Sequence, residues 1–352
     1  MPIRFPAPLV PGDLIAVTAP SSGVEAALHP RLDRVLAHLR AQGFRVEEGL
    51  CLRDEVRSAS APADQRAQEL MACLLRDDVA ALIPPWGGER AIELLDRLDW
   101  AALSQARPKW LLGYSDTSTW LLPMTLRLGW ATAHGPCLMD LVPGQDDDLS
   151  RGAMRALATP AHGGFEQRQS SRWQSRWTDF AVDPASVYQL TEATRWWPLQ
   201  GQTEVDIGGR LIGGCVDTLM HTAGTPYGDV AAFMAAQRAR DGEGTLLYLE
   251  NSGLTPTDWL RAMHRLRWAG WLDVGAGLAG VLVGRSAAPD TTKAGQLRYA
   301  EALQATLGEL SCPVLVDMDI GHRPPQLVLV NGARARVRWD AAAGGRVHQH
   351  FA

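Results

Sequence analysis

The chain has 352 residues, more than one hydrophobic core usually organises, so two domains are expected. Hydrophobic residues make up 46% and charged residues 21%, which excludes disordered, collagenous and membrane-spanning compositions. A formal charge of −5, with both signs mixed along the chain, excludes the basic stripe that a phosphate backbone requires, so nucleic acid is not an expected partner. No run of about 18 apolar residues occurs, and Met1–Pro11 lacks the apolar core of a signal peptide, which points to a cytoplasmic protein away from membranes. Cys51, Cys73, Cys137, Cys215 and Cys312 are scattered singly with no metal-ligand spacing, so buried free thiols and no bound metal are expected.

Taken in chain order, Gly12–Ala19 reads as a buried strand that ends at Pro20-Ser21-Ser22-Gly23, and Leu32–Leu39 follows with helical spacing. The unit repeats: a helix over Gln65–Leu75, a strand over Val79–Ile83, a helix over Glu89–Leu98, then the strand Trp110–Gly113 and an apolar helix after Ser115. Strands alternating with helices predict a mainly parallel sheet covered on both faces, with ligands beyond the carboxyl ends of its strands. From Pro143 to Gln200 the periodicity fades into a segment rich in Gly, Ser, Asp, Arg and Trp, read as a linker with substrate-side loops. Arg210–Gly214 then leads into a helix, and Thr245–Leu249, Gly280–Val283 and Pro313–Val316 look like strands. Between them Thr255 can cap a helix that Pro256 begins and Gly270 closes. The expectation is an α/β protein: an N-terminal, mainly parallel α/β sandwich domain over 1–150, a linker with loops over 151–200, and a C-terminal α+β domain with a mixed, barrel-like sheet over 201–352.

Ser115 stands directly after a buried strand and before a helix, where the chain turns sharply and a hydroxyl would sit at the helix's positive end. That suits a nucleophile, but a helix N-cap fits the same spacing, and Thr117 replaces the second glycine of a GxSxG turn. A nucleophilic serine needs a base, and the base needs a carboxylate. His322 follows the strand that ends near Val316, on a loop at the edge where catalytic groups collect. Glu250 ends the strand Leu246–Leu249, where a charge after four apolar residues is expected to leave the core. His134, in Ala133-His134-Gly135-Pro136, is the rival base. Trp86-Gly87-Gly88-Glu89 offers unobstructed backbone N–H groups for an oxyanion, although a glycine pair is also ordinary turn chemistry.

Eight stretches, in order, resemble the family of L,D-carboxypeptidases, peptidase family S66, which also contains the microcin C immunity peptidases. They are Gly12-Asp13 with Ala19-Pro20-Ser21-Ser22; Gly87-Gly88 with Leu98-Asp99; Pro108-Lys109-Trp110 with Gly113-Tyr114-Ser115-Asp116; His134-Gly135-Pro136; Gly209–Gly214; Gly224-Thr225-Pro226-Tyr227; Leu249-Glu250; and Gly321-His322. The resemblance implies a Ser-Glu-His triad of Ser115, Glu250 and His322, divided between the two domains. It also implies oxyanion donors at the backbone N–H of Asp116 and of Gly88, a metal-free acyl-enzyme mechanism without cofactor, and a homodimer. Many muropeptide-cleaving members carry Ala-Arg-Gly-Gly-Tyr-Gly at the glycine turn, whereas this chain has Pro85-Trp86-Gly87-Gly88-Glu89-Arg90. An arginine there could pair with a substrate carboxylate, and Trp86 cannot; Arg90 lies one helical turn along. The additional aromatic residues Trp173, Trp177, Phe180, Trp196 and Trp197 resemble the region with which immunity members stack on adenine, a contact worth about 1 to 3 kcal/mol per base. Adjacent strand residues face opposite ways, so at most one of Trp196 and Trp197 reaches a ligand. Three functions follow: cleavage before a terminal D-residue of a murein tetrapeptide, with Trp86, Gly87, Trp196 and Trp197 as candidate substrate contacts; cleavage of a peptidyl or aminoacyl nucleotide; or non-catalytic binding in a two-domain cleft.

Overall fold

The computed structural model describes residues 2–352. Its first half lays down five parallel strands, β1 (Leu14–Val17), β2 (Arg45–Glu48), β3 (Val79–Leu82), β4 (Trp110–Gly113) and β5 (Thr132–His134), in the order β5-β4-β3-β1-β2. Helices α1 (His29–Ala41), α2 (Ala63–Leu75), α3 (Trp100–Gln105) and α4 (Ser118–Leu128) pack around them. All four residues of β1 and of β4 are buried, and the period of two divides them between layers. Ile15, Val17, Trp110 and Leu112 join the core under α1, while Leu14, Ala16 and Leu111 join the core under α2 and α4. A sheet buried on both faces explains why these strands read as continuous apolar runs.

The second half contributes α5 (Asp148–Leu157), β6 (Gly164–Arg168), β7 (Arg172–Trp173), β8 (Glu192–Ala193), β9 (Trp197–Pro198), β10 (Glu204–Cys215), α6 (Val216–Thr222), α7 (Val230–Asp241), β11 (Thr245–Glu250), α8 (Pro256–Trp268), β12 (Leu278–Gly284), α9 (Tyr299–Leu307), β13 (Val314–Met318), β14 (Leu329–Asn331), β15 (Arg334–Asp340) and β16 (Gly344–His350). Eight of these strands form a mixed sheet in the order β6-β16-β15-β10-β11-β12-β13-β9, parallel from β10 to β13 and antiparallel at both flanks. Leu247 and Leu249 face a core shared with α6, α7, α8 and α9, whereas Leu246 and Tyr248 face a second core that includes Leu329 and Val337. The protein is therefore a two-domain α/β molecule with a parallel N-terminal sheet, extended by one antiparallel strand, and a mixed C-terminal sheet.

The two sheets are joined by chain that crosses back. β14 pairs antiparallel with β5 and becomes the sixth strand of the N-terminal sheet. Its last residue, Asn331, accepts from the Gly213 N–H (3.1 Å) and the Tyr248 hydroxyl (2.7 Å) and donates to Thr132 Oγ1 (3.1 Å). One buried amide thus ties β10 and β11 to β5.

Three expectations change. Glu89–Leu98 forms a 3-10 turn at Ala91–Leu94 and further turns instead of an α-helix. The spacing of Ala91, Leu94, Leu95 and Leu98 reported one buried face, which a run of tight turns presents as well as a helix does. The segment read as loops contains α5, capped by Asp147 on the Ser150 N–H (2.8 Å), together with β6 and β9, the two edges of the larger sheet. Short, half-exposed edge strands leave little apolar pattern. Glu250, expected to leave the core, is fully buried. All five cysteines are buried and free. Among the described residues, no helix is long and apolar enough to cross a membrane.

Candidate active site

Ser115 follows β4 at its carboxyl end. Tyr114 is still extended, and Ser115 itself takes φ +63°, a left-handed conformation that a residue with a Cβ rarely adopts. A 3-10 turn, Ser115–Thr117, then enters α4. The helix-capping alternative is not realised: the Ser115 side chain caps no helix, and its Oγ lies 3.0 Å from His322 Nε2.

His322 comes from the loop after β13, and its ring packs edge-on against Tyr114 at 4.8 Å. Its Nδ1 lies 2.6 Å from Glu250 Oε2, which also accepts from the His322 backbone N–H at 3.2 Å. The other oxygen, Oε1, accepts from the Ser115 N–H at 3.3 Å and lies 3.4 Å from His134 Nε2. This explains how a carboxylate stays buried at the end of β11, because its oxygens meet four nitrogen-bearing groups. Gly321 has to be glycine here: its φ is +87°, and a Cβ would collide with Glu250 Oε2. Burial by itself would push the Glu250 carboxyl up, but the charge and hydrogen bond of His322, with His134, outweigh it and hold the carboxyl well below the usual range. For His322, burial pulls downward, and Glu250, with Asp217 and Asp140 further off, reverses this and raises the imidazole above its ordinary 6.5.

The glycine turn meets the serine through Gly87. A Cβ there would stand 2.7 Å from Asp116 N, 2.7 Å from Ser115 Cβ and 2.9 Å from Ser115 Oγ, so the missing side chain leaves a space bounded by the hydroxyl and a backbone N–H. Gly88, at φ +138°, presses on Ser21 and Ser22, and the Gly87 carbonyl accepts from the Ser22 N–H at 3.1 Å. In a trans peptide the Gly88 N–H points opposite to that carbonyl, away from Ser22. The Asp116 carboxylate, almost wholly buried, fastens this arrangement: Oδ2 accepts from Ser21 Oγ (2.6 Å) and the Ala91 N–H (2.8 Å), and Oδ1 from Thr119 Oγ1 (2.9 Å).

The structure thus brings together Ser115, His322, Glu250, Gly87 and Asp116, with Gly88 beside them. The tryptophans fare differently. Trp196 is 2% exposed, donates its indole N–H to Asp319 at 3.0 Å and fills the space that Gly345 leaves, so the expectation that it meets substrate is corrected to a core role. Trp197, its neighbour, faces outward and donates to Asp317 at 2.7 Å. Trp86 is half-buried against the N-terminal core, with its N–H spent on the Gly23 carbonyl at 2.9 Å. Arg90 is likewise engaged, with the Arg57 carbonyl (3.0 Å) and Glu93 (2.6 Å). Trp173 lies beside the guanidinium groups of Arg285 and Arg323, Trp177 stands edge-on to Phe180, and Phe180 lies beneath Arg31 at 3.7 Å. Sequence reasoning missed two supports: the Asp116 side chain and His134 as a neighbour of Glu250. For His134 a signal existed, since a strand parallel to β4 sets it opposite Gly113, two residues before Ser115.

Comparison with known proteins identifies the family of both halves of the chain. Residues 15–135 match the model of the LD-carboxypeptidase N-terminal domain and residues 208–337 that of the C-terminal domain, both of peptidase family S66. A Streptomyces coelicolor protein that bears a carboxypeptidase name is 30% identical over 340 residues, covering 95% of this chain and 93% of its own. The Escherichia coli microcin C7 self-immunity protein MccF is 24% identical over 341 residues, covering 95% and 93%. A Bacillus subtilis protein named for murein peptide carboxypeptidase activity is 25% identical over 335 residues, covering 94% and 90%. Among solved structures, MccF in complex with aspartyl sulfamoyl adenosine superposes with a TM-score of 0.79 at 22% identity, covering 98% of each chain. The chain belongs to the LD-carboxypeptidase family, peptidase S66.

Proposed function

We propose that the protein is a serine peptidase of the L,D-carboxypeptidase type in which Ser115 is the nucleophile, His322 the general base and then acid, and Glu250 the group that orients the imidazole. One observation carries this reading: the continuous relay from Ser115 Oγ to His322 Nε2 (3.0 Å) and from His322 Nδ1 to Glu250 Oε2 (2.6 Å). In the step it supports, Ser115 Oγ attacks the carbonyl carbon of an amide while its proton passes to His322 Nε2. The oxyanion is received by the N–H groups of Asp116 and Gly88, in the space that Gly87 leaves open. His322 then protonates the departing amine. Water repeats the sequence on the acyl-enzyme and releases the acid.

For the substrate, the leading reading is the amide before a terminal D-residue of a murein tetrapeptide, supported by the family and by the name of the Bacillus subtilis relative. A second reading, a peptidyl or aminoacyl nucleotide, is favoured by one feature of the cleft. By its resemblance to the muropeptide-cleaving members, the chain has Trp86 in place of an arginine that could pair with a terminal carboxylate, and the Arg90 guanidinium is already engaged by Glu93. The reading includes a cytoplasmic homodimer acting without cofactor. The test is turnover of a murein tetrapeptide and of an aminoacyl-sulfamoyl adenylate by the protein and by Ser115→Ala. One substrate should be hydrolysed and the variant should lose that hydrolysis while remaining folded; hydrolysis undiminished in Ser115→Ala contradicts the proposal.

A further inference from the structure

We infer that His134 is a positioning residue for this relay: it holds Glu250 Oε1 and so fixes the plane in which Oε2 meets His322. The inference rests on the reading of Ser115, His322 and Glu250 given above. His134 ends β5, in register with Gly113 of β4 on one side and Leu329 of β14 on the other. Its side chain is 2% exposed, and its ring stands edge-on to Tyr248 (5.3 Å) and Tyr114 (6.4 Å). Among the described residues neither ring nitrogen has a hydrogen-bond partner of ordinary geometry, an expensive condition for a buried imidazole. Its Nε2 instead faces Glu250 Oε1 at 3.4 Å.

The contacts of Glu250 divide by domain. Oε2 is held by the side chain and backbone of His322, from the C-terminal half; Oε1 is approached by the Ser115 N–H and by His134, both from the N-terminal sheet. The terminal torsion of a glutamate is soft, and apart from His134 the one group on Oε1 is the Ser115 N–H at 3.3 Å, which moves with the nucleophile itself. The His134 imidazole adds a restraint on that oxygen from a side chain that takes no part in the attack. Fixed in this way, Oε2 keeps the proton of His322 on Nδ1, which leaves Nε2 free to accept from Ser115. For His134 to present a donor to Oε1, its own proton must lie on Nε2. Its place as a rival base is thereby given up, and it acts on the reaction only through Glu250.

The experiment follows inactivation by an alkyl fluorophosphonate, which needs an activated serine and no knowledge of the natural substrate. His134→Phe, which keeps the ring and removes the donor, should lower the limiting rate about tenfold or more while leaving the half-saturating concentration unchanged. His134→Gln, which can return an N–H to Oε1, should recover most of that rate, and His134→Asn, with its shorter reach, should not. The far-downfield proton resonance of the His322 Nδ1–H should shift or broaden in the Phe variant and return in the Gln variant. A His134→Phe protein that reacts at the wild-type rate with an unmoved resonance overturns the inference. If that variant does not fold, equal rates for the Gln and Asn variants overturn it. Labelling that persists in Ser115→Ala would instead overturn the relay itself.

Discussion

Glu250 illustrates how a residue's neighbours decide its chemistry. A carboxylate in the interior is tolerated only when its charge is matched, and here both oxygens are contacted from two domains. The pairing has a consequence for pH. Neutral His322 is the form that can take the Ser115 proton, and Glu250 raises the imidazole above 6.5. Activity is therefore lost as pH falls through that raised value, and the acid limb of kcat/KM should have its midpoint above 6.5. Glu250→Gln removes the main cause of the rise and leaves burial opposed only by Asp217 and Asp140, so the midpoint should move down while kcat falls about a thousandfold or more. A limb that stays in place in the Gln variant, or near-normal turnover, would assign the orienting role to another carboxylate.

At the level of elements, the site is made by what happens after strands end. Ser115 leaves β4 through a left-handed kink, and α4 begins only at Ser118, so the hydroxyl and the Asp116 N–H share one small space. Gly87 defines the other wall of that space. It does not have a positive φ, so close approach alone requires a glycine. Gly87→Ala should fold, displace Ser115 and lower kcat/KM about a hundredfold or more. Gly208→Ala, whose Cβ would meet only the Ala335 carbonyl at 3.6 Å, should leave the rate unchanged. Equal effects of the two substitutions would show that the Gly87 contact does not govern the nucleophile. The turn order also explains the 3-10 segment at Ala91–Leu94. Its first N–H groups are taken by Ser21 and Asp116, which anchor the glycine turn, and Asp99 begins a new helix soon after.

Across the whole molecule, the candidate site exists only where two sheets meet. Ser115 and His134 belong to the N-terminal sheet, Glu250 and His322 to the C-terminal half, and Asn331 locks the joint from a strand that crosses between them. The fold class was legible because β1, β3 and β4 are buried on both faces and their sequences show it as unbroken apolar runs. Ser115, Glu250 and His322 were legible through their place at strand ends and through the ordered motifs of a known family. The edge strands β6 and β9 were not, because a strand of two residues or one half in water carries almost no hydrophobic period. Nor was the fate of Trp196, since pattern alone does not tell a tryptophan packed beneath Gly345 from one offered to a ligand. His134 was read as a competing base; the strand order could place it beside Gly113, but its contact with Glu250 depends on the packing of two domains. Whether Ser115 is the nucleophile of a relay through His322 is decided by trapping the acyl-enzyme with a slow amide substrate and mapping the added mass by peptide mass spectrometry. One adduct is expected, on the peptide carrying Ser115, absent from Ser115→Ala and from His322→Ala. An adduct on any other residue, or turnover without one in Ser115→Ala, would contradict it.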